Sequence, residues 1–300
     1  MGNSMAGHLL AAGHAVTVHS RTRARAAALL ELGAQWADTP AEAAHGQDFV
    51  FSMVSMPPDV EAVHLGPHGT LAAATLPKII VDMTSSRPSI ARTIATAARA
   101  RGCWALDAPV TGGDIGARNA TLSILVGGDE QPFAQALPLL QLMGKTVIRQ
   151  GGAGCGQQAK VVNQILIAST MVGLCEAMLY ARTIGLDPHR VLESVSAGAA
   201  GSWSLSNLAP RILKGDFEPG FFIDHFIKDL GIAIEECAAS GIDVPGLKLA
   251  ENLYRKAQRA NHGSKGTHGL FLLYEAEMVA EGAFGAVGGS MKQAQPPQGF

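Results

Sequence analysis

Along the first half of the chain, apolar positions fall into short β-branched runs separated by alanine-rich stretches of helical period. That pattern predicts a parallel sheet covered by helices. Residues 15–19, 49–54, 79–83, 104–107, 123–126 and 146–148 read as strands. Residues 22–32 predict a helix with Thr22 as N-cap and Gly33 just past its end, and residues 89–100 predict another. From about Gln157 onward, helical spacing replaces the strand signal. The first helix of this half, residues 157–184, is apolar on most faces, as suits a helix buried between two domains or two subunits. Asp187 and Pro188 supply the N-cap and first position of the next helix. The expected organisation is a doubly wound α/β domain over residues 1–151, an all-helical domain over 152–287 and a loose tail over 288–300.

A doubly wound sheet that binds a dinucleotide opens with a strand, a G-x-G-x-x-G turn and a helix whose N-terminus takes the pyrophosphate. Here residues 1–14 have the length of the first crossover helix and lead directly into the strand at Ala15, with Gly2 in the place of the last glycine of the motif. The expectation is therefore a Rossmann-type sheet whose first strand is missing from this chain, explained by a start codon placed too late. Four or five buried β-branched residues at about 1.5–3 kcal/mol each would match a whole-domain stability of about 5–15 kcal/mol, so such a loss would be severe. The second strand ends at Ser20-Arg21-Thr22. At that place a carboxylate holds the ribose of NAD, whereas an arginine meets the 2′-phosphate of NADP. Arg21 favours NADP, with NAD still usable.

Length and composition narrow the class. Three hundred residues exceed a comfortable single core and suit two domains. With 47% hydrophobic and 16% charged residues and a net charge of −2, the chain has no basic excess for nucleic acid. Cys103, Cys155, Cys175 and Cys237 lie far apart with no C-x-x-C pair, which predicts neither a metal site nor a disulfide framework and suits a reducing compartment. The longest apolar run, residues 165–174, is short for a membrane span. A soluble, cytoplasmic protein acting on a small molecule, with no nucleic-acid or membrane partner, is the expectation.

Two segments carry candidate chemistry. In residues 107–113, DAPVTGG, adjacent glycines after a hydroxyl residue make a tight turn, and the same turn can present backbone N–H groups to a carboxylate. In residues 154–164, GCGQQAKVVNQ, Lys160, Asn163 and Gln164 stand at i, i+3 and i+4 and share one face of the long helix. Flanked by Val161, Val162, Ile165 and Leu166, Lys160 is expected to lose part of its solvation, which favours its neutral form and suits proton exchange with a hydroxyl; a lysine snorkelling to solvent is the alternative. Asn163 could fix the same oxygen. Lys228 borders the core stripe of a later helix formed by Ile227, Leu230, Ile234 and Cys237.

Taken in order, these segments resemble the β-hydroxyacid dehydrogenases, the group of 3-hydroxyisobutyrate dehydrogenase and tartronate semialdehyde reductase. Residues 1–6 resemble the end of G-x-G-x-M-G-x-P-M-A with Ser4 for proline, and residues 82–85 resemble D-x-S-T with Thr84 and Ser85 exchanged in type. Residues 107–113 resemble D-A-P-V-S-G-G with Thr111 for serine, residues 154–164 resemble G-x-G-x-x-x-K-x-x-N-N with Gln164 for the second asparagine, and residues 228–230 resemble K-D-L. The resemblance covers nearly the whole chain. It implies reversible NAD(P)-dependent oxidation of a β-hydroxyacid to its semialdehyde, with Lys160 as acid/base and Asn163 orienting the reacting oxygen. Thr111, Gly112 and Gly113 would hold the substrate carboxylate, and Gln164 would bear on substrate identity. Gly2, Arg21, Thr22, Val54, Ser55, Ser85 and Lys228 would line the cofactor, with no metal. It further implies a homodimer or homotetramer formed through the helical domains. A non-catalytic NADP-binding scaffold and an imine reductase are the alternatives, and Lys160 argues against both.

Overall fold

The computed structural model describes residues 1–280. Its strands are β1 (Thr17–Val18), β2 (Gln35–Trp36), β3 (Phe49–Ser52), β4 (Ile79–Asp82), β5 (Trp104–Asp107), β6 (Val110–Thr111), β7 (Leu122–Gly127) and β8 (Gly144–Gly151). Among them run helices α1 (Gly2–Ala11), α2 (Ala27–Glu31), α3 (Pro40–Ala44), α4 (Pro57–Leu65), α5 (Pro88–Arg99), α6 (Gly113–Arg118) and α7 (Glu130–Gln141). After them come α8 (Cys155–Thr183), α9 (Pro188–Ser196), α10 (Trp203–Leu213), α11 (Ile223–Ala239), α12 (Pro245–Ala257) and α13 (Leu270–Ala280). The tail expected over residues 288–300 lies outside the described residues.

Strands β3, β4 and β5 are parallel and in register, so Ser52, Asp82 and Asp107 end level at one sheet edge. β4 carries Ile79, Ile80 and Val81 fully buried on both faces, as a central parallel strand requires. The sheet is mostly parallel, as expected, with an antiparallel part around β7. β7 meets β5 antiparallel at Asp107 and Gly127, pairs antiparallel with the short β6 and parallel with β8. The cause is local: the turn through Gly112 sends the chain back beside β6 without a long crossover. β1 and β2 form a separate parallel pair, and among the described residues no strand joins them to β3. α1 closes the face of β3, with Met5 packed into the cluster of Ile79, Val81, Met83 and Leu106 and partly buried Phe49 and Phe51 beside it.

Sequence periodicity located most of these elements to within a few residues. Gly33 has the positive φ of +97° that ends a helix, and the Asp187 carboxylate caps α9 by accepting from the His189 N–H at 2.9 Å. Thr22 does stand in extended conformation before a short 3₁₀ turn, but its side chain makes no capping bond. After Gly151 the elements of the described residues are helices, with one isolated antiparallel bridge between Phe222 and Gly266. Met171, Cys175 and Met178 of α8 pack against Leu208 and Ile212 of α10, Phe226 and Leu230 of α11 and Tyr254 of α12. By length and composition α8 is apolar enough to cross a membrane, although its inner face is the core of this helical layer.

Candidate active site

The edge of the sheet is wired by buried polar groups. Ser52 Oγ donates to Asp82 Oδ1 at 2.7 Å and lies 2.9 Å from His64 Nε2, while His64 Nδ1 lies 2.9 Å from Thr70 Oγ1. One hydroxyl has one proton, so with Ser52 giving its own to Asp82, His64 donates from Nε2 and accepts at Nδ1 from Thr70. Complete burial pulls His64 down to about 4, in keeping with this neutral ring. Burial likewise pushes Asp82 up to about 6, against the hydrogen bonds from Ser52 and Thr84 that favour its charge. Thr84 in turn accepts the Val54 N–H at 3.0 Å, so the loops after β3 and β4 are tied to one another.

The next strand end anchors the long helix. Asp107 accepts from the Gly154 N–H at 2.8 Å and the Gln157 N–H at 2.9 Å, which gives the start of α8 the carboxylate cap that its own N-cap glycine lacks. Gln157 then donates to the Thr84 carbonyl at 2.7 Å and accepts from the Ser86 N–H at 2.9 Å. These bonds fix one face of α8 against the loop after β4. One turn on, Lys160 reaches back to β6, its Nζ donating to the Val110 carbonyl at 2.9 Å. Val110 precedes the Thr111-Gly112-Gly113 turn, where φ of +121° and +63° at the two glycines brings the chain into α6. Lys160 is buried, and desolvation lowers it to about 8, with Asp229 raising it and Lys228 lowering it further.

The wall opposite comes from α11. Lys228 Nζ donates to the Ser85 carbonyl at 2.6 Å and lies 2.7 Å from Asp229 Oδ1. Gln164 Nε2 donates to Asp229 Oδ2 at 2.6 Å, and Asn163 Nδ2 donates to Gln164 Oε1 at 2.7 Å. Thus Lys160, Gln164 and Ser85 line one small cavity, Asn163 and Lys228 are bonded to its walls, and Lys160 is tied to the carbonyl just before the Thr111–Gly113 turn. One detail differs from expectation. Val162 and Leu166 point outward at 59% and 65% exposure, so the desolvation of Lys160 comes from the sheet edge and α11 rather than from these neighbours. The Gln164 amide is bonded to Asn163 and Asp229.

The remaining candidates stand at the start of α1, after β1 and after β3. Gly2 opens α1, whose N-cap Met1 offers no side-chain acceptor, which leaves first-turn N–H groups for an anion. Asn3 Nδ2 donates to the Arg25 carbonyl at 2.7 Å, holding the segment of Arg21 and Thr22 beside that helix end. Arg21 makes an exposed ion pair with Asp59 at 3.2 Å. The N–H groups opening α1, the hydroxyls of Ser55 and Ser85 and the cations of Arg21 and Lys228 are a donor set of the kind that suits a nicotinamide dinucleotide. Among the described residues no three His, Cys, Asp or Glu side chains converge as for a metal.

Asp107, Gln157 and Asp229 carry this geometry without having been assigned any role from the sequence. The available signals were small: Gln157 sits three residues before Lys160 on the same helix face, and Asp229 is a carboxylate facing the core stripe.

Comparison with known proteins agrees with the architecture. Residues 1–152 match the family described as the NAD binding domain of 6-phosphogluconate dehydrogenase, and residues 154–274 match the NAD-binding domain of NADP-dependent 3-hydroxyisobutyrate dehydrogenase. The chain is 49% identical to the uncharacterized oxidoreductase YkwC of Bacillus subtilis over 91% of its own length and 95% of that protein. It is 39% identical to 2-hydroxy-3-oxopropionate reductase of Escherichia coli, with 93% and 95% covered. A solved 3-hydroxyisobutyrate dehydrogenase from Mycobacterium tuberculosis, with L-serine, superposes at a TM-score of 0.81 and 29% identity over 91% of this chain and 95% of that one. A Rossmann-like domain followed by a helical domain, with a site between them, defines a nicotinamide-dinucleotide oxidoreductase. Within that class, the chain belongs to the β-hydroxyacid dehydrogenase family.

Proposed function

We propose that this protein, an NAD(P)-dependent oxidoreductase of CH–OH groups, interconverts a small β-hydroxyacid and its semialdehyde with NADP as the preferred cofactor and Lys160 as acid/base. One observation carries the reading: a buried lysine amine is bonded to the carbonyl that precedes the Thr111-Gly112-Gly113 turn, 2.9 Å away. An amine with a pKa of about 8 instead of 10.5 is neutral roughly 300-fold more often at pH 7. In oxidation Lys160 takes the hydroxyl proton, and in reduction it returns that proton to the carbonyl oxygen. Asn163 orients that oxygen. The N–H groups and hydroxyl of the turn hold the carboxylate, and Gln164 shapes the same wall. A bound nicotinamide dinucleotide would supply the hydride exchange.

Gly2, Val54, Ser55, Ser85 and Lys228 would line the dinucleotide, and Arg21 and Thr22 would hold its 2′-phosphate. The NADP preference is supported by the name of the family matched by residues 154–274 and by Arg21, whose side chain is 76% exposed and held by a surface ion pair that a phosphate can replace. Exposed Val162, Leu166 and Tyr180 on the outer face of α8 support a homo-oligomer in which a second copy covers that face. The decisive test is Lys160→Ala: turnover falls at least about a hundredfold while the dissociation constant for NADPH stays within about twofold. An Ala variant with normal turnover removes the assignment.

A further inference from the structure

The catalytic wall contains an arrangement that acid/base chemistry at Lys160 alone leaves unexplained. Ser86 Oγ and Asp229 Oδ1 are, among the described residues, the buried side-chain polar atoms without a hydrogen-bond partner. Oδ1 does lie 2.7 Å from Lys228 Nζ, a charge contact without hydrogen-bond alignment. Both orphaned atoms belong to residues lining one cavity of about 10 Å³, whose wall also includes Lys160, Gln157 and Gln164. Such a space is about the size of one water, and it is polar on several sides. A carboxylate this deep is costly unless it is paired and bonded. Here it is gripped on one oxygen by Gln164 and faces two lysines. The extra methylene of Gln164 relative to asparagine, about 1.5 Å, is what lets an amide on α8 reach a carboxylate on α11.

We propose that Asp229 and Gln164 are positioning residues for Lys160: Gln164 clamps the Asp229 carboxylate to the wall of the cavity it shares with the lysine amine, so that this one buried anion governs when Lys160 holds its proton. The proposal rests on Lys160 being the acid/base group and adds the device that sets it. The charged and titratable groups around Lys160 are few. α11 presents Asp229 and Lys228, with His225 a turn earlier; the strand ends present Asp107, committed to the start of α8, and Asp82, committed to Ser52 and Thr84; β6 presents only a carbonyl. Of these, Asp229 is the anion that favours the charged amine, against desolvation and Lys228. Gln164 therefore serves the reaction without needing to touch the substrate.

The test is the pH dependence of kcat/KM for hydroxyacid oxidation by the intact protein, for wild type, Asp229→Asn, Asp229→Glu and Gln164→Met. In the wild type, activity rises through an inflection near 8. Asp229→Asn moves that inflection toward acid by about one pH unit, the usual scale for a lost adjacent charge. Gln164→Met, close in size and unable to clamp, moves it the same way by less, and Asp229→Glu restores it. NADPH affinity and a cooperative thermal transition establish that each variant is folded, and Gln164→Met supplies the reading where Asp229→Asn does not fold. A folded Asp229→Asn or Gln164→Met enzyme with lowered kcat and an unmoved inflection overturns the proposal, because a merely structural role would give that result. If Lys160→Ala is fully active, the acid/base reading itself falls; an unmoved inflection in an enzyme that depends on Lys160 defeats only the positioning role.

Discussion

Alanine in place of glycine inside a helix ordinarily stabilises by about 1 kcal/mol, yet Gly156→Ala is expected to damage this protein. Gly156 lies in the first turn of α8, one turn before Lys160, and a Cβ there would stand 2.4 Å from the Leu125 carbonyl oxygen, 2.6 Å from that of Asp107 and 2.8 Å from Asp107 Oδ2. Two of the three are backbone atoms of the sheet and cannot rotate away. Ordinary contact begins near 3.4 Å, so the first turn must withdraw by about 1 Å, from 2.4 to 3.4 Å. Withdrawal stretches the Gly154 and Gln157 N–H bonds to Asp107 from 2.8 and 2.9 Å to nearly 4 Å and leaves a buried carboxylate uncapped. Overpacking costs about 1–3 kcal/mol and each hydrogen bond to a charged group about 1.5–3 kcal/mol. Both losses outweigh the helix-propensity gain, and a net destabilisation of about 3–8 kcal/mol follows. Since a misplacement of about 1 Å can cost a hundredfold in rate, kcat is expected to fall by about that factor. Urea unfolding and steady-state turnover at saturating NADPH measure the two effects. Gly231→Ala in α11 is the control, because its Cβ would meet nothing within 4 Å and should not destabilise. A Gly156→Ala enzyme as stable as wild type, with kcat within about twofold, would refute the argument that this contact sets the position of Lys160.

Other expectations follow from the same geometry. Arg21→Ala should raise KM for NADPH about tenfold or more, the scale of a lost charge-assisted contact, and leave KM for NADH nearly unchanged; equal changes would remove the phosphate role. Neutral His64, held near 4 against 6.5 unfolded, binds fewer protons folded than unfolded between those values, so its contribution to stability is lost as pH falls from 6.5 to 4, by about 2–3 kcal/mol. Asp82, held near 6 against 3.8, acts with the opposite sign over much of the same window and offsets part of that loss. His64→Gln should therefore be less destabilised than wild type between pH 7 and about 4.5 in urea unfolding; equal losses in the two proteins would show that His64 does not titrate in this way. Leu166→Glu on the outer face of α8 should yield a smaller species by sedimentation, and an unchanged mass would place the subunit contact elsewhere.

What the sequence disclosed and what it withheld divide along a physical line. Features specified within one element were legible: the β-branched run of β4, the Asp187-Pro188 start of α9, the glycine closing α2, and the helical spacing that puts Lys160, Asn163 and Gln164 on one face. Features specified by contacts between elements were not. Asp107 caps a helix that begins 47 residues later, Gln157 bonds across more than 70 residues to the loop after β4, and Gln164 meets a carboxylate 65 residues further on. Periodicity says which face of a helix is buried but not what it is buried against. The same limit explains the misplaced source of desolvation, since Val162 and Leu166 are adjacent to Lys160 in spacing yet lie on the opposite side of α8 from the sheet edge. In a site assembled this way, the residue that titrates can be named from its own helix. The groups that decide its pKa belong to other strands and helices, and any change that shifts α8 against them alters the chemistry while leaving every local motif intact.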